Sequence, residues 1–214
     1  MQRHDVALGL AATLGVVGFL AVTGWANRAL AEPFTERRVG LGVGLAYGLY
    51  LGDAAEDIPT PYGLGVGARA GYTFDPNVYL AAELNYFFGT SQRFPQYGDV
   101  EGSLRILQYG AQAGYDLGLG RHFVLRPKLG VGAARVTAKV RVEDMTGDVS
   151  ETGLALTAGV EALGRYKVWF LAVEARYTYL RIDTQPLRDI PGLEVQDSAK
   201  LDGLLFFVGP GVVF

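Results

Sequence analysis

The chain has 214 residues, which suits one domain of ordinary size rather than two large ones. Half of the residues are hydrophobic, 19% are charged, 30 are glycine and none is cysteine. This composition argues against a disulfide scaffold, a thiolate metal site and intrinsic disorder. The net charge of −3 provides no basic excess for binding nucleic acid. What remains is an apolar chain with about twice the usual share of glycine.

The first 31 residues have the layout of a secretory signal peptide. Arg3 supplies the short basic start, residues 6–27 carry no charge, and residues 29–31 form a small-x-small cleavage site. A membrane anchor is the alternative, because this uncharged segment is long enough to span a bilayer. The glycines of the segment and the cleavage site favour removal, although residues 24–26 offer a second possible cut. We therefore expect a mature chain that begins near Glu32.

From residue 39 onward, bulky apolar side chains alternate with small ones. In residues 39–51 every odd position is bulky, and every even position except Tyr50 is glycine or alanine. This period of two predicts a strand with one bulky face and one nearly bare face, whereas a helix would not place glycines on alternate residues. The same alternation predicts eight strands, over residues 39–51, 64–74, 78–88, 107–117, 123–133, 154–162, 169–179 and 204–214.

The links between these strands alternate in length. Short links at 75–77, 118–122 and 164–167 alternate with long polar links at 52–62, 89–102, 138–153 and 182–200. A tilted strand of about 9–11 residues crosses a bilayer. The pattern therefore predicts an all-β, eight-stranded antiparallel up-and-down transmembrane β-barrel with one plain rim and one elaborated rim. A change of parity near Ala134 and Arg135 also predicts a bulge in the fifth strand, which continues past the membrane as a hairpin.

Two kinds of eight-stranded barrel fit the alternation. A soluble, lipocalin-like barrel keeps its bulky face inside, and a membrane barrel turns that face outward. The second face decides between them, because a water-exposed face would be dense in Lys, Glu, Thr and Ser, and here it is mainly Gly and Ala. Aromatic residues at both ends of the bulky faces match the two girdles of a membrane barrel. They are Phe74, Tyr115, Phe123, Trp169 and Phe214 at the short-turn end, and Phe88, Tyr109, Tyr179 and Phe206 at the long-loop end.

On these features, residues 38–214 resemble the small bacterial outer-membrane β-barrels, the family of the OmpA transmembrane domain, OmpX and OmpW. The resemblance implies an outer-membrane location and divides the chain into a signal peptide, 1–31, and a barrel domain, 32–214. It also implies that a last strand ending in an aromatic residue is the signal read by the barrel-assembly machinery. Gly209, Val212 and Phe214 fit that pattern, and Phe207 departs from it by standing where a polar residue is often seen.

The charged and amide side chains on the inward faces are the candidate functional residues. Unpaired buried charges are costly, so we expect an internal salt-bridge network that fills the lumen. The alternative is a narrow polar conduit or gate in which the same pairs exchange partners. The candidates are Arg69, Glu83, Gln112, Asp116, Arg126, Lys128, Glu161, Glu174 and Arg176.

Pairing across two of the short turns can be derived. The three-residue turn 75–77 fixes one register, and a pairing of Leu117 with Phe123 fixes the other. The expected arrangement is Arg69 opposite Glu83, Gln112 opposite Lys128, and Asp116 diagonal to Arg126.

Catalysis and metal binding have little support in the sequence. The two histidines are His4, in the predicted signal, and His122, in a short turn, and no His/Cys cluster suggests zinc. Acidic residues in the long loops could bind a divalent cation, but a solvated acidic loop is the commoner case. We therefore expect no catalytic residues, no metal site and no cofactor.

The leading hypothesis is a non-enzymatic, monomeric outer-membrane barrel with a polar, largely plugged lumen and a structural or surface-interaction role. Its expected partners are outer-membrane lipid, lipopolysaccharide and the barrel-assembly machinery. The alternative is a narrow channel or transporter for small or apolar solutes.

Overall fold

The computed structural model describes residues 38–51, 62–89, 91–94, 100–120, 122–142, 145–183 and 198–214. The predicted signal peptide and most of the long links lie outside the described residues. Among the described residues, no helix is long and apolar enough to span a membrane. The strands in these ranges are β1 (Arg38–Tyr50), β2 (Gly63–Phe74), β3 (Val78–Phe87), β4 (Ser91–Phe94), β5 (Val100–Tyr115), β6 (Leu117–Gly118), β7 (Phe123–Val142), β8 (Met145–Tyr166), β9 (Trp169–Asp183), β10 (Ser198–Lys200) and β11 (Gly203–Val213).

These strands close into one antiparallel barrel. The order β1, β2, β3, β5, β7, β8, β9, β11 returns to β1, since β1 pairs with both β2 and β11. The short strands lengthen this wall, because β4 pairs with β5, β6 with β7, and β10 with β9. The eight-stranded antiparallel up-and-down architecture predicted from the alternation is confirmed.

The longest hairpin is formed by β7 and β8, which pair from Phe123–Gly164 up to Val142–Met145. The β8–β9 pairing begins only at Leu154, so the far end of this hairpin extends beyond β9. The predicted bulge is wrong, because the ladders on both sides of β7 run through Ala134 and Arg135 without interruption. What changes there is the chemistry of the two faces. Near the long-loop rim the inward side chains become apolar and the outward ones become charged, and this mimics a shift of parity.

The bulky face of the strands points outward. Val43, Leu64 and Leu129 are more than half exposed on the outer wall, and the predicted girdle residues Phe74 and Phe88 are exposed at opposite rims. This is the arrangement expected of a membrane barrel and the reverse of a lipocalin-like one.

Both ends of the barrel wall meet at the short-turn rim. The Phe214 N–H donates to the Val39 carbonyl at 2.9 Å, which ties the last strand to the first. Among the predicted assembly-signal residues, Gly209 is buried on the inward face, Val212 is half-buried on the outward face, and Phe214 is exposed.

The inward glycines leave space for inward aromatic rings and for the neighbouring backbone. A Cβ atom on Gly71 would lie 2.5 Å from Cζ of Tyr79, and one on Gly48 would lie 2.6 Å from Cβ of Tyr62. A Cβ atom on Gly209 would lie 2.6 Å from the backbone of Gly44 on β1. A narrow barrel can thus hold large side chains inside only where the facing residue has none.

Candidate functional site in the lumen

The predicted lumen residues all lie on the inner side of the barrel. Eight of them are buried, and the side chain of Glu83 is 10% exposed. The strands that carry them are β2 for Arg69, β3 for Glu83, β5 for Gln112, β7 for Arg126 and Lys128, β8 for Glu161, and β9 for Glu174 and Arg176, with Asp116 between β5 and β6.

The buried charges balance. Four cations and four acids lie together, so their formal charges sum to zero, and burial is tolerable only because opposite charges are in contact. The cations are Arg69, Arg126, Lys128 and Arg176, and the acids are Glu83, Asp116, Glu161 and Glu174.

Glu161 occupies the centre of this network and has no exposed surface. Its carboxylate contacts Nη1 of Arg69, lies 2.8 Å from Nη1 of Arg126, and lies 3.7 Å from Nζ of Lys128. One carboxylate therefore joins three cations that come from two other strands, β2 and β7.

Glu174 is the second hub. Its Oε2 atom is 2.7 Å from Nζ of Lys128 and 3.6 Å from Nη1 of Arg69, and its Oε1 atom is 3.6 Å from Nη1 of Arg176. Lys128 and Arg69 thus contact both hubs, which links the two halves of the network.

Arg176 connects the network to the far wall. Its Nη1 atom donates to Glu83 on β3 at 2.5 Å, and its Nη2 atom donates to Oε1 of Gln108 on β5 at 3.4 Å. These contacts cross the lumen, because β9 is not a neighbour of β3 or β5 in the barrel.

At the short-turn end, Asp116 terminates the network. It accepts hydrogen bonds from Nε and Nη2 of Arg126, the latter at 3.0 Å, and from Oγ1 of Thr73 at 3.1 Å. A cavity of about 50 Å³ beside it, lined in part by Arg38 and Arg165, has room for one or two water molecules.

The predicted Arg69–Glu83 register is observed, but the expected ion pair between them is not. Arg69 lies directly opposite Glu83 in the β2–β3 ladder. Arg69 nevertheless contacts Glu161 and Glu174, and Glu83 contacts Arg176. Long side chains reach the far wall of a narrow lumen as easily as the adjacent strand.

The predicted pairing of Gln112 with Lys128 is wrong. Leu117 pairs with Leu125 rather than Phe123, and the turn closes through a 2.8 Å hydrogen bond from the Leu119 N–H to the Phe123 carbonyl. The register is therefore shifted by two residues. Gln112 consequently lies opposite Gly130, and Lys128 lies opposite Gly114. Leu117, expected on the lipid side, is buried. The register shift does not account for this burial, because a shift of two residues keeps each side chain on its face.

Inward aromatic rings hold two of the arginines. The Arg69 guanidinium lies 5.6 Å from the ring centre of Phe170 and 5.1 Å from that of Phe207, and the Arg126 guanidinium lies 3.5 Å from that of Tyr79. Such cation–π contacts add to the ion pairs. The alternation places Tyr79 on the inward face but assigns no role to it. For Phe207, the available signal in the sequence was its departure from the assembly pattern.

A second layer closes the lumen toward the long-loop rim. Tyr62 packs its ring 4.2 Å from that of Tyr50 and 5.7 Å from that of Phe87, and its hydroxyl donates to the Leu201 carbonyl. We call this cluster the apolar plug. Its members are Ala46, Tyr50, Tyr62, Phe87, Ile106, Ala134, Val136, Ala155, Leu180, Ile182, Leu201 and Leu205.

Comparison with known proteins yields one family. A sequence profile of the outer membrane protein beta-barrel domain matches residues 12–203. No curated protein matches the chain.

Solved structures of outer-membrane proteins share the fold. The Ail protein of Yersinia pestis, solved in complex with the heparin analogue sucrose octasulfate, superposes with a TM-score of 0.53 at 15% identity, over 84% of this chain and 100% of Ail. A major outer membrane protein of Thermus thermophilus superposes with a TM-score of 0.57 at 13% identity, over 82% of this chain and 99% of that protein. With the closed barrel, its apolar outer wall and the family match over most of its length, the chain belongs to the outer membrane protein beta-barrel domain family of the bacterial outer membrane.

Proposed function

We propose that this protein is a non-enzymatic, non-conducting outer-membrane barrel that acts through its outer surface. The observation that carries the proposal is the double closure of the lumen, first by the ion-pair network and then by the apolar plug. An ion crossing the barrel would have to separate several buried ion pairs and then shed its water among aromatic and aliphatic side chains. Both steps are costly in a medium of low dielectric constant.

Purified protein reconstituted in planar bilayers is expected to give no steady single-channel conductance. The physical reason is that ions find no continuous water-filled path past the plug around Tyr62. A known porin in the same bilayers provides the positive control. Steady, reproducible conductance steps that scale with protein concentration would contradict the proposal.

The seam between β1 and β11 favours the second candidate, a narrow path for small apolar solutes. The paired residues stop at Gly42–Gly211 and resume at Leu45–Val208, and Pro210 between them has no N–H to donate. The ladder is interrupted there while the backbones of Gly44 and Gly209 stay close together. A shallow, open depression lies on the lipid side, lined in part by Val43, Ala70 and Pro210. Faster uptake of an apolar solute by proteoliposomes than by empty liposomes, without conductance, would favour this candidate over the first.

Export and assembly follow the same proposal. Residues 1–31 act as a cleaved signal, Gly209, Val212 and Phe214 guide the last strand to the barrel-assembly machinery, and the barrel works as a monomer in lipid and lipopolysaccharide. Support comes from the sequence pattern and from the exposed ring of Phe214 at the short-turn rim.

Protein purified from outer membranes is expected to begin near Glu32, because the Ala-Leu-Ala site at residues 29–31 fits signal peptidase. Intact-mass measurement tests this directly. A variant with Ala26→Leu and Ala31→Leu, which alters both possible cuts, is expected to be retained at full length. A wild-type mass that includes residues 1–31 would show that the segment is a permanent anchor.

A further inference from the structure

Charged side chains are unevenly distributed over the part of the outer wall whose side chains the structure describes. Among the strand residues whose side chains are described, the outward-facing charged groups all lie toward the long-loop end of β5, β7, β8 and β9. At the same rim, the outward residues of β1, β2 and β11 are apolar, among them Leu49, Leu64 and Leu204, and so is Phe88, which directly follows β3. The charged residues are Arg105, Arg135, Lys139, Asp148 and Arg181.

Two arginines form the centre of this patch. Arg105 on β5 lies opposite Thr137 on β7, and Arg135 is two residues before Thr137 on that strand. Diagonal neighbours of this kind have their Cα atoms about 7–8 Å apart. Arg135 in turn lies opposite Thr152 on β8, so a threonine is the cross-strand neighbour of each arginine. The Thr137 hydroxyl also shares a 2.9 Å hydrogen bond with the Ser150 hydroxyl.

Acidic residues are placed at the margin of the patch. Asp148 lies opposite Lys139, farther out on the β7–β8 hairpin. Asp202, which precedes β11, accepts a hydrogen bond from the Tyr177 hydroxyl at 2.7 Å. Neither acid lies opposite Arg105 or Arg135, so the centre of the patch is cationic.

The patch lies directly above an apolar wall. Tyr109, Val131 and Leu154 are all about half exposed on the same three strands, closer to the middle of the barrel. Tyrosine at this position marks a membrane interface. The guanidinium groups therefore reach the depth of the lipid headgroups, at the rim that carries the long loops.

We propose that Arg105 and Arg135, with Thr137 and Thr152, bind the phosphate groups of a phosphorylated glycolipid in the outer leaflet, whose acyl chains lie on the apolar wall below. Guanidinium groups bind phosphate with two parallel hydrogen bonds, and hydroxyl groups add further donors. A lipid fits better than a soluble polyanion, since the apolar surface that continues beneath the cations suits acyl chains. The inference rests on the proposed surface role of the barrel and names a partner for it.

The test compares lipid retention in nanodiscs of phosphatidylcholine that contain a small fraction of lipid A. Native mass spectrometry should show bisphosphorylated lipid A retained by wild-type barrels and dephosphorylated lipid A retained much less. The double variant Arg105→Glu/Arg135→Glu should retain bisphosphorylated lipid A at least about tenfold less, since each basic residue near a charged membrane surface contributes appreciably to binding. Lys167→Glu, a single charge reversal at the opposite rim, is matched in charge to the single variant Arg135→Glu; it should behave as wild type, whereas Arg135→Glu should retain less lipid A.

Heat-modifiable gel mobility verifies that each variant is folded, and Arg105→Gln/Arg135→Gln replaces the reversal if that variant does not fold. Equal retention of lipid A by wild type and double variant would overturn the inference. Equal retention of the dephosphorylated lipid would assign binding to the acyl chains alone and also overturn it. Binding of a sulfated polysaccharide, lost in the double variant while lipid A shows no specific retention, would instead identify a soluble partner. Conductance in planar bilayers would contradict the proposed function. It would not decide the lipid inference, because conductance tests the lumen and lipid retention tests the outer wall.

Discussion

Replacement of Glu161 by glutamine is expected to lower the free energy of unfolding of the barrel by about 3–5 kcal/mol, the usual cost of breaking a buried ion pair by removing one partner. Glu161 is fully buried and contacts Arg69, Arg126 and Lys128. Without its charge, four buried cations would face three acids. Urea unfolding of the refolded barrel in detergent micelles, followed by tryptophan fluorescence, measures the loss.

Two control variants separate charge from packing. Glu83→Gln removes a more exposed acid that contacts Arg176 alone among the described cations, and it should cost less than Glu161→Gln. The double variant Arg69→Gln/Glu161→Gln restores equal numbers of cations and acids, and it should be more stable than Glu161→Gln alone. Equal losses for the two single variants, or no recovery in the double variant, would contradict the central role of Glu161.

Gly209→Ala is expected to destabilise the barrel by about 3 kcal/mol, at the upper end of the usual cost of overpacking. The added methyl group would meet the carbonyl oxygen of Val43 and lie 2.6 Å from Cα of Gly44. These are backbone atoms of β1, so the strands that close the barrel would have to separate. The same unfolding measurement tests the effect.

Other glycines provide matched controls. Gly118 has nothing within 4 Å of a Cβ position, so Gly118→Ala should change the stability by no more than about 0.5 kcal/mol. The three atoms nearest to a Cβ on Gly71 all belong to the Tyr79 side chain, so the cost of Gly71→Ala should largely disappear in a Tyr79→Ala background. A harmless Gly209→Ala would show that the β1–β11 seam adapts freely.

The fold was predictable because its signals are local. Alternation with a period of two assigns each side chain to a face, and link lengths assign each turn to a rim, so the strand order follows. The Arg69–Glu83 register was equally accessible, since a three-residue turn leaves little freedom. The register after Leu117 was not, because pairing continues through Gly118–Val124 to a hydrogen bond between Leu119 and Phe123, and no residue type announces where that turn closes.

The residues of the candidate site were predictable from the sequence, but the contacts between them were not. Charged residues on inward faces could be named from parity alone. Which acid contacts which cation depends on distances across the lumen, and Glu161 lies on β8 while its partner Arg69 lies on β2. The apolar plug was missed for a related reason, because Tyr62 lies in a long link and reaches the lumen through its contacts with Tyr50 and Phe87.

The ion pairs across the lumen also bear on how the barrel is built. Glu83 and Arg176 are 93 residues apart in sequence, so the last strands must be synthesised and brought into place before this pair can form. A partly assembled sheet would expose unmatched charges to the hydrocarbon of the bilayer. Such contacts between distant residues form late and slow folding. The network therefore stabilises only the complete wall. It favours insertion in one cooperative step, because intermediates that enter the membrane hairpin by hairpin would carry unpaired charges.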